Sequence, residues 1–249
     1  EGWNNLLYLC SEAFLTGFYY KPRMDREILE KHSAGLIAIN GHLGSELGDL
    51  LLDYERTGEA KYWERAVEAA EWHKRVFAGA SDPRASRFFV ELQHHIHEQN
   101  SINKHLIRLA EELGLPLVCD NDSHFLKAED HDAHDTLVCI STGKTKTDPA
   151  RMKYPLELYV KSPEEMRELF EPYGEIGRAA CDHTVLIAGR CNVKLPIGAN
   201  PAPMVRVPLP DEASLPGHDD ARYSGDLTAW YKEFSARFEL LPMSADEDQ

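Results

Sequence analysis

Three short apolar runs separated by helical segments constrain this chain more than any other feature of its sequence. The runs cover residues 35–41, 87–93 and 115–120, and the stretches between them carry apolar residues at helical spacing. Runs of this length predict buried strands, and strands that alternate with helices predict parallel βα units. Functional side chains in such folds gather where the strands end. The sequence therefore predicts an α/β fold with its site at the carboxyl ends of the strands.

The charge balance limits what this chain does by itself. It carries 27 Lys and Arg against 42 Asp and Glu, a formal charge of −15, which repels a phosphate backbone at long range. We expect a poor nucleic-acid binder, with any basic groove in a neighbouring region. The five cysteines form no CxxC pair and indicate a reducing, cytoplasmic compartment. Neither a bilayer-spanning run nor a secretory signal is visible, so no membrane partner is expected.

The motif with the most specific chemistry is Asp122-Ser-His124, directly after the third run. A carboxylate and an imidazole two residues apart point to the same side of an extended chain. Such a pair suits Zn²⁺, Mn²⁺ or Fe²⁺ better than Ca²⁺ or Mg²⁺. The alternative is that Asp122 caps a turn or the following helix while His124 only packs.

A third ligand candidate, His42, follows the first run between two glycines. The glycines allow a sharp turn that would bring the imidazole to the strand-end face. If the runs form one parallel sheet, His42 and the Asp122/His124 pair converge as three metal-type ligands. Otherwise His42 is a histidine of a surface loop.

The histidines after the second run are weaker candidates. His94 and His95 are consecutive, so their side chains point in opposite directions on an extended segment and cannot both reach one ion with His97. We expect these three histidines to be exposed or structural. Glu91 is the one residue of this region that strand alternation turns inward.

An aromatic-rich loop holds two cations, Lys21 and Arg23, on either side of a proline. These side chains are candidates for phosphate binding, and the alternative is salt bridging with the surplus carboxylates. The sequence contains no phosphate-cradling GxxxxGK[ST], no GxGxxG after a strand and no GxSxG nucleophile motif. Nucleotide-cradle and serine-hydrolase functions are therefore disfavoured.

An ordered set of segments resembles the alpha-subunit family of bacterial DNA polymerase III. The segments are Gly17-Phe-Tyr-Tyr-Lys-Pro-Arg23, Gly35-Leu-Ile-Ala-Ile-Asn-Gly-His-Leu-Gly44, Phe89-Val-Glu-Leu-Gln93, Asn121-Asp-Ser-His-Phe125, Asp132-Ala-His-Asp-Thr-Leu-Val-Cys-Ile140, Ser162-Pro-Glu-Glu-Met166 and Ala188-Gly-Arg-Cys-Asn-Val193. The resemblance implies an incomplete, distorted (βα)₇ PHP barrel with parallel strands, followed by a helical and loop-rich C-terminal extension. It places the C-terminal portion of the PHP domain, with its connection towards the polymerase core, at residues 1–203, and a linker with a short helix at residues 204–249.

The resemblance also implies a metal site and partners. His42, Asp122 and His124 match ligands of a cluster of up to three ions, filled by Zn, Mn or Fe, whereas Mg would serve the polymerase core. The implied partners are that core of the same subunit, other replicase subunits, DNA and dNTPs. The intact protein would make DNA, and its PHP site would be a 3′–5′ exonuclease or phosphoesterase if further ligands complete it.

The beginning of the chain bears on that last expectation. Residues 1–16 already follow a helical pattern, and no capping residue precedes Trp3. The family's opening HxH ligands are absent, so we expect upstream sequence to exist and this segment alone to be inactive. Two alternatives stay open, a stand-alone PHP-type phosphoesterase and a structural module without metal.

Overall fold

The computed structural model describes residues 1–195, 197–198, 217 and 219–235. The chain divides into two compact units, Glu1–Val193 and Lys194–Gln249. In the second unit, a 3₁₀ turn at Ala221–Tyr223 precedes helix α9 at Leu227–Ser235, within the region 204–249 where a short helix was predicted. The expected acidic end at residues 244–249 lies outside the described residues. The predicted boundary at residue 203 stays a prediction.

The first unit contains three strands and eight helices among its described residues. In chain order these elements are α1 (Gly2–Leu15), α2 (Arg26–Lys31), β1 (Ala38–Ile39), α3 (Glu46–Thr57), α4 (Ala60–Val76), β2 (Phe88–Gln93), α5 (His97–Leu113), β3 (Leu117–Asp120), α6 (His131–Thr142), α7 (Pro163–Phe170) and α8 (Gly174–Arg190). Within the described ranges, none of the helices is both long and apolar enough to cross a lipid bilayer.

The three strands form one parallel sheet in the order β1-β2-β3. Ala38 pairs with Phe88 at one side of β2, and Leu92 pairs with Cys119 at the other. Helices α3 and α4 connect β1 to β2, and α5 connects β2 to β3. The α/β fold with parallel strands predicted from the apolar runs is therefore confirmed. All three strands end at the same edge of the sheet, because they run in the same direction.

The largest differences from the predicted boundaries are at β1 and α5, and β3 is also shorter than the run over residues 115–120. The first run was predicted to be a strand over residues 35–41, but β1 contains only Ala38 and Ile39. Gly35 and Gly41 have φ angles of 73° and 77°, which lie outside the range of an extended strand. The pattern from Ser101 to Leu113 predicts a helix, but α5 begins four residues earlier, at His97, in a polar stretch of which only Gln99 is fully buried.

The core lies between the sheet and the helices around it. Every residue of β2 is buried, so both faces of this strand are covered. Leu51 of α3, Leu106 of α5 and Phe170 at the end of α7 are at most 1% exposed and belong to one apolar cluster. Burial of a side chain of this size contributes about 1.5–3 kcal/mol. The segments before and after β3 are therefore packed into a common core.

Local signals fix the ends of several helices. Ser162 accepts a hydrogen bond from the Glu165 N–H, and the Glu165 carboxylate accepts one from the Ser162 N–H. The sequence Ser162-Pro-Glu-Glu165 predicts this reciprocal arrangement, a capping box with Pro163 at the first helical position, and the structure confirms it. At the other end of a helix, Gly58 closes α3 in the left-handed conformation.

A substitution in the core tests this packing. We expect Leu106→Ala to lower the free energy of unfolding by about 2–5 kcal/mol, because it leaves a cavity where α5 meets the sheet. The matched control Leu137→Ala removes a side chain on α6 that is 64% exposed, and should cost less than about 0.5 kcal/mol. Urea denaturation followed by circular dichroism measures both values. Equal losses in the two variants would contradict the assigned core.

Candidate metal centre

The predicted ligands lie in the loops that follow two strands of the sheet. His42 comes three residues after the end of β1, and Asp122 and His124 follow the end of β3. Glu91 lies on β2, between these two strands, and pairs in register with Val118. Parallel strands bring the loops that follow them to the same edge of the sheet. The loops with His42, Asp122 and His124 therefore lie at the edge toward which β2, with Glu91, also runs.

The Asp122/His124 pair is formed, although not in the way that the sequence suggested. His124 Nε2 lies 3.3 Å from Asp122 Oδ1. Asp122 has a φ of 52°, a left-handed conformation, so the backbone is not extended here as the prediction assumed. Aspartate tolerates this conformation better than most residues. A turn at Asp122, and not strand alternation, therefore brings the carboxylate and the imidazole together.

Asn121 anchors this turn to a distant part of the chain. Its Nδ2 donates to Ser123 Oγ at 3.0 Å and to the Tyr159 carbonyl at 2.5 Å. Its Oδ1 accepts from Lys161 Nζ at 3.2 Å, and the Lys161 side chain is only 2% exposed. One amide thus uses both its donor and its acceptor functions to hold the loop. No local sequence pattern identifies Lys161 as part of this site, because its partner Asn121 lies 40 residues away.

The backbone adds a second attachment at the same place. The His124 N–H donates to the Leu158 carbonyl at 2.7 Å, and the Val160 N–H donates to the Phe125 carbonyl at 3.0 Å. Phe125 and Tyr159 form an isolated parallel bridge. The loop after β3 is therefore held along its length by residues 158–161, and the position of His124 depends on that segment.

His42 stands apart from this pair. Its Nε2 lies 3.3 Å from the point that a Cβ on Gly44 would occupy, so the ring sits over its own loop. Within the part of the chain that the structure describes, no three His, Cys, Asp or Glu side chains are close enough to hold one metal ion. The three-ligand set of His42, Asp122 and His124 therefore stays a prediction.

Glu91 is a buried carboxyl group at the centre of the sheet. It is 2% exposed, its Oε1 accepts from Gln93 Nε2 at 2.5 Å, and its Oε2 has no hydrogen-bond partner among the described residues. Burial raises the pKa of Glu91 to about 7, and the charges of Asp120 and Asp122 act in the same direction. Every other residue of β2 is buried as well, so the burial of Glu91 does not test the strand alternation from which its inward orientation was predicted. A proton on this carboxyl group is stable up to about neutral pH.

Two histidines near the Asp122/His124 pair, His95 and His134, are partly buried. His95 is half-buried with an unpartnered Nδ1, and burial lowers its pKa while the charge of Asp122 opposes that shift. His134 on α6 also has a buried, unpartnered Nδ1, and its ring centroid lies 6.0 Å from that of His124. Sequence reasoning assigned His95 to an exposed or structural role. Two imidazole nitrogens near the pair therefore have no hydrogen-bond partner among the residues that the structure describes.

The two cations proposed for phosphate binding lie in an exposed loop. The Arg23 guanidinium stacks 4.9 Å from the centre of the Tyr19 ring, and Lys21 forms a bridge with Tyr19 through the backbone. Neither cation makes an ion pair with another described residue, which leaves the salt-bridge alternative without support. Arg23 borders a small cavity together with Glu12 and Asp25. The nearby carboxylates disfavour an anion, and the phosphate-binding role stays a prediction.

The donor atoms at this edge of the sheet can be compared with those that a divalent ion needs. The Asp122/His124 pair offers one oxygen and one nitrogen at chelating spacing, and the unpartnered Oε2 of Glu91 is a further buried donor. Two ligands fill only half of a tetrahedral zinc shell. The donor chemistry suits Zn²⁺, Mn²⁺ or Fe²⁺, but the described residues provide part of a coordination shell and not a closed site.

The buried carboxyl of Glu91 predicts a pH dependence of stability. Its pKa is about 7 in the folded chain against an ordinary value of 4.5, so between these pH values the folded state binds more protons than the unfolded state. The resulting stabilisation is complete below pH 4.5 and is lost as the pH rises to 7, in total about 3 kcal/mol. We expect Glu91→Gln to flatten the fall in unfolding free energy between pH 5 and 7.

Denaturation in urea with a chelator present, repeated across this pH range, measures the effect. Glu64→Gln on α4 is the matched control, because Glu64 is exposed and its neutralisation should leave the slope unchanged. A Glu91→Gln variant with the slope of the parent protein would show that Glu91 is ionised throughout the range.

Comparison with known proteins extends the structural result. The model of the PHP domain family matches residues 1–95. The chain is 38% identical to the DNA polymerase III subunit alpha of Thermus aquaticus over 99% of its length, which is 20% of that protein. The corresponding subunit of Deinococcus radiodurans is 38% identical over 86% of the chain and 15% of the relative, and that of Borreliella burgdorferi is 41% identical over 77% and 15%.

The chain thus spans a fifth or less of the length of these relatives. The similarity includes far more than residues 1–95, because the Thermus aquaticus protein aligns with nearly the whole chain. The parallel sheet, the PHP match and the extended similarity agree on one assignment. The chain belongs to the DNA polymerase III alpha subunit family, as a segment that carries a PHP domain.

Proposed function

We propose that this chain is the metal-binding PHP module of a bacterial replicative DNA polymerase, and that the parent protein carries out template-directed DNA synthesis in the cytoplasm. The observation that supports the module's role is the Asp122/His124 pair at the end of β3, with 3.3 Å between Nε2 and Oδ1. DNA, dNTPs, the polymerase core and other replicase subunits would be partners of the parent protein. Nucleotide addition with Mg²⁺ belongs to that core.

Within the module, different residues of the chain would bind the metal, position the loop and transfer a proton. Asp122 supplies charge and His124 a nitrogen, while Asn121 fixes the turn between β3 and the pair. A divalent ion held there would polarise a phosphoester, as is needed for hydrolysis at a DNA 3′ end. Glu91, with its raised pKa, would hold or release a proton next to this face near neutral pH. His42, Asp122 and His124 are the proposed metal ligands.

The charge of the chain supports this division. A net charge of −15 suits a module that attracts cations and leaves DNA binding to other parts of the parent protein.

We further propose the domain boundary at residue 203, with a linker and short helix at residues 204–249.

A structural module without metal is the second candidate. It is favoured by the absence, among the described residues, of three ligand side chains around one point. The attachment of the loop after β3 to residues 158–161 also stabilises the fold without any ion. In that case Asp122 and His124 would contribute only to the packing of the loop.

Metal binding distinguishes the two candidates. We expect Mn²⁺ or Zn²⁺ to bind the purified chain, and we expect Asp122→Asn and His124→Ala each to weaken binding by about tenfold or more, because each removes a ligand or its charge. Isothermal titration calorimetry and the metal content after dialysis measure this. His97→Ala is the control, since His97 is an exposed histidine at the start of α5.

Binding that is the same in all three variants, or no binding by the parent chain, would favour the structural module. The nuclease step has its own test in the protein encoded by the whole reading frame. There, degradation of a 3′-labelled DNA strand should require His42, Asp122 and His124, whereas the present chain alone should be inactive. Robust 3′–5′ activity of this chain by itself would contradict the proposed need for further ligands.

A further inference from the structure

A cavity of about 260 Å³ opens beside the loop that follows β3. Its wall combines Cys119 of β3, Lys161, Met166 of α7 and two residues of α8, Cys181 and Thr184. The cavity is large enough for several water molecules or a small reagent. It therefore gives solvent a route to side chains that are otherwise buried.

Two thiols meet at this cavity. Cys119 Sγ lies 3.3 Å from Cys181 Sγ, and the two residues are 4% and 7% exposed. The other three cysteines are not in this pair: Cys10 and Cys191 are exposed, and Cys139 is buried on α6. A disulfide has an S–S separation of about 2.0 Å, so the two sulfurs would need to approach by only about 1.3 Å.

We propose that Cys119 and Cys181 are an oxidisable dithiol, which closes to a disulfide when a peroxide or a low-molecular-weight disulfide enters the cavity. With hydrogen peroxide, one thiolate attacks an oxygen atom and the O–O bond breaks, giving a sulfenic acid and a hydroxide, which becomes water by taking up the proton that the thiol released. The second thiol then displaces a second water as the S–S bond forms. Two S–H bonds are lost, and two electrons pass from the sulfurs to the peroxide.

The groups around the two thiols determine how fast this oxidation proceeds. Arg167 also borders the cavity, but its guanidinium lies 2.6 Å from Asp182 Oδ1 and is therefore already paired with a carboxylate. Burial raises the pKa of the Cys119 thiol. The reaction is therefore slow at neutral pH and accelerates in alkaline solution, as the thiolate population grows.

The disulfide would tie β3 to α8 and close the chain segment from residue 119 to residue 181. A crosslink over a segment of this length restricts the unfolded chain and raises the Tm by about 5–10 °C. It also fixes the strand that leads into Asp122 and His124. This inference is independent of the proposed function, because it requires neither metal nor DNA.

Oxidation of the protein with its natural cysteines tests the proposal. The chain is treated with a small excess of hydrogen peroxide at pH 8.5, alkylated under denaturing conditions, digested without reductant and mapped by mass spectrometry. We expect a peptide pair joined through Cys119 and Cys181 that separates on reduction, and a Tm that rises and returns with dithiothreitol. Cys139→Ser, which changes a buried cysteine outside the pair, should give the same linkage and the same shift.

Cys181→Ser should lose both the linked peptides and the rise in Tm. If that variant folds poorly, the peptide map of the unsubstituted chain still shows whether Cys119 and Cys181 are joined. The proposal is overturned if both Cys119 and Cys181 are recovered alkylated after the exposed Cys10 and Cys191 have been oxidised. It is also overturned if Cys119 is linked to a different cysteine.

Discussion

The pairing of β2 with a strand on each side is the interaction on which the rest of this structure depends. β2 is buried along its whole length, so its backbone groups need partners within the protein, which the neighbouring strands and, for the Glu91 N–H, the Asn40 side chain provide. That requirement fixes the register of both neighbours. The loops carrying His42 and the Asp122/His124 pair are then directed to one edge. The helices cover the two faces of the sheet and make the burial of β2 possible.

Most of the fold could be predicted from the sequence, because it depends on local patterns. Apolar runs between helical segments were sufficient for the parallel βα arrangement, and the Ser162 capping box was sufficient for the start of α7. The errors arose where long-range contacts override local polarity. Gln99 and Asn103 are polar residues of the first two turns of α5, but they face the protein interior and are only 2% and 0% exposed. No local pattern distinguishes such buried amides from surface ones.

The site was less predictable than the fold for a related reason. The residue types of Asp122 and His124 indicated a chelating pair, but their approach depends on a left-handed turn and on Asn121, which binds a carbonyl group and a lysine far along the chain. The raised pKa of Glu91 depends on the combined burial and negative charge around β2. These are properties of the assembled sheet edge. A single sequence shows which residues are available, whereas their surroundings come from tertiary packing.

The bridge between Phe125 and Tyr159 has a consequence for how this region can vary. The chain leaves the sheet edge after Phe125, forms α6, and returns to the same edge at Tyr159. Both ends of this excursion are pinned, so its interior can lengthen or shorten while the positions of Asp122 and His124 stay fixed. The entropy of closing a longer loop grows only logarithmically with its length. Residues 143–150, which lie between α6 and Tyr154, are therefore a place where new contacts can be added while His134 and Tyr154 keep their places beside His124.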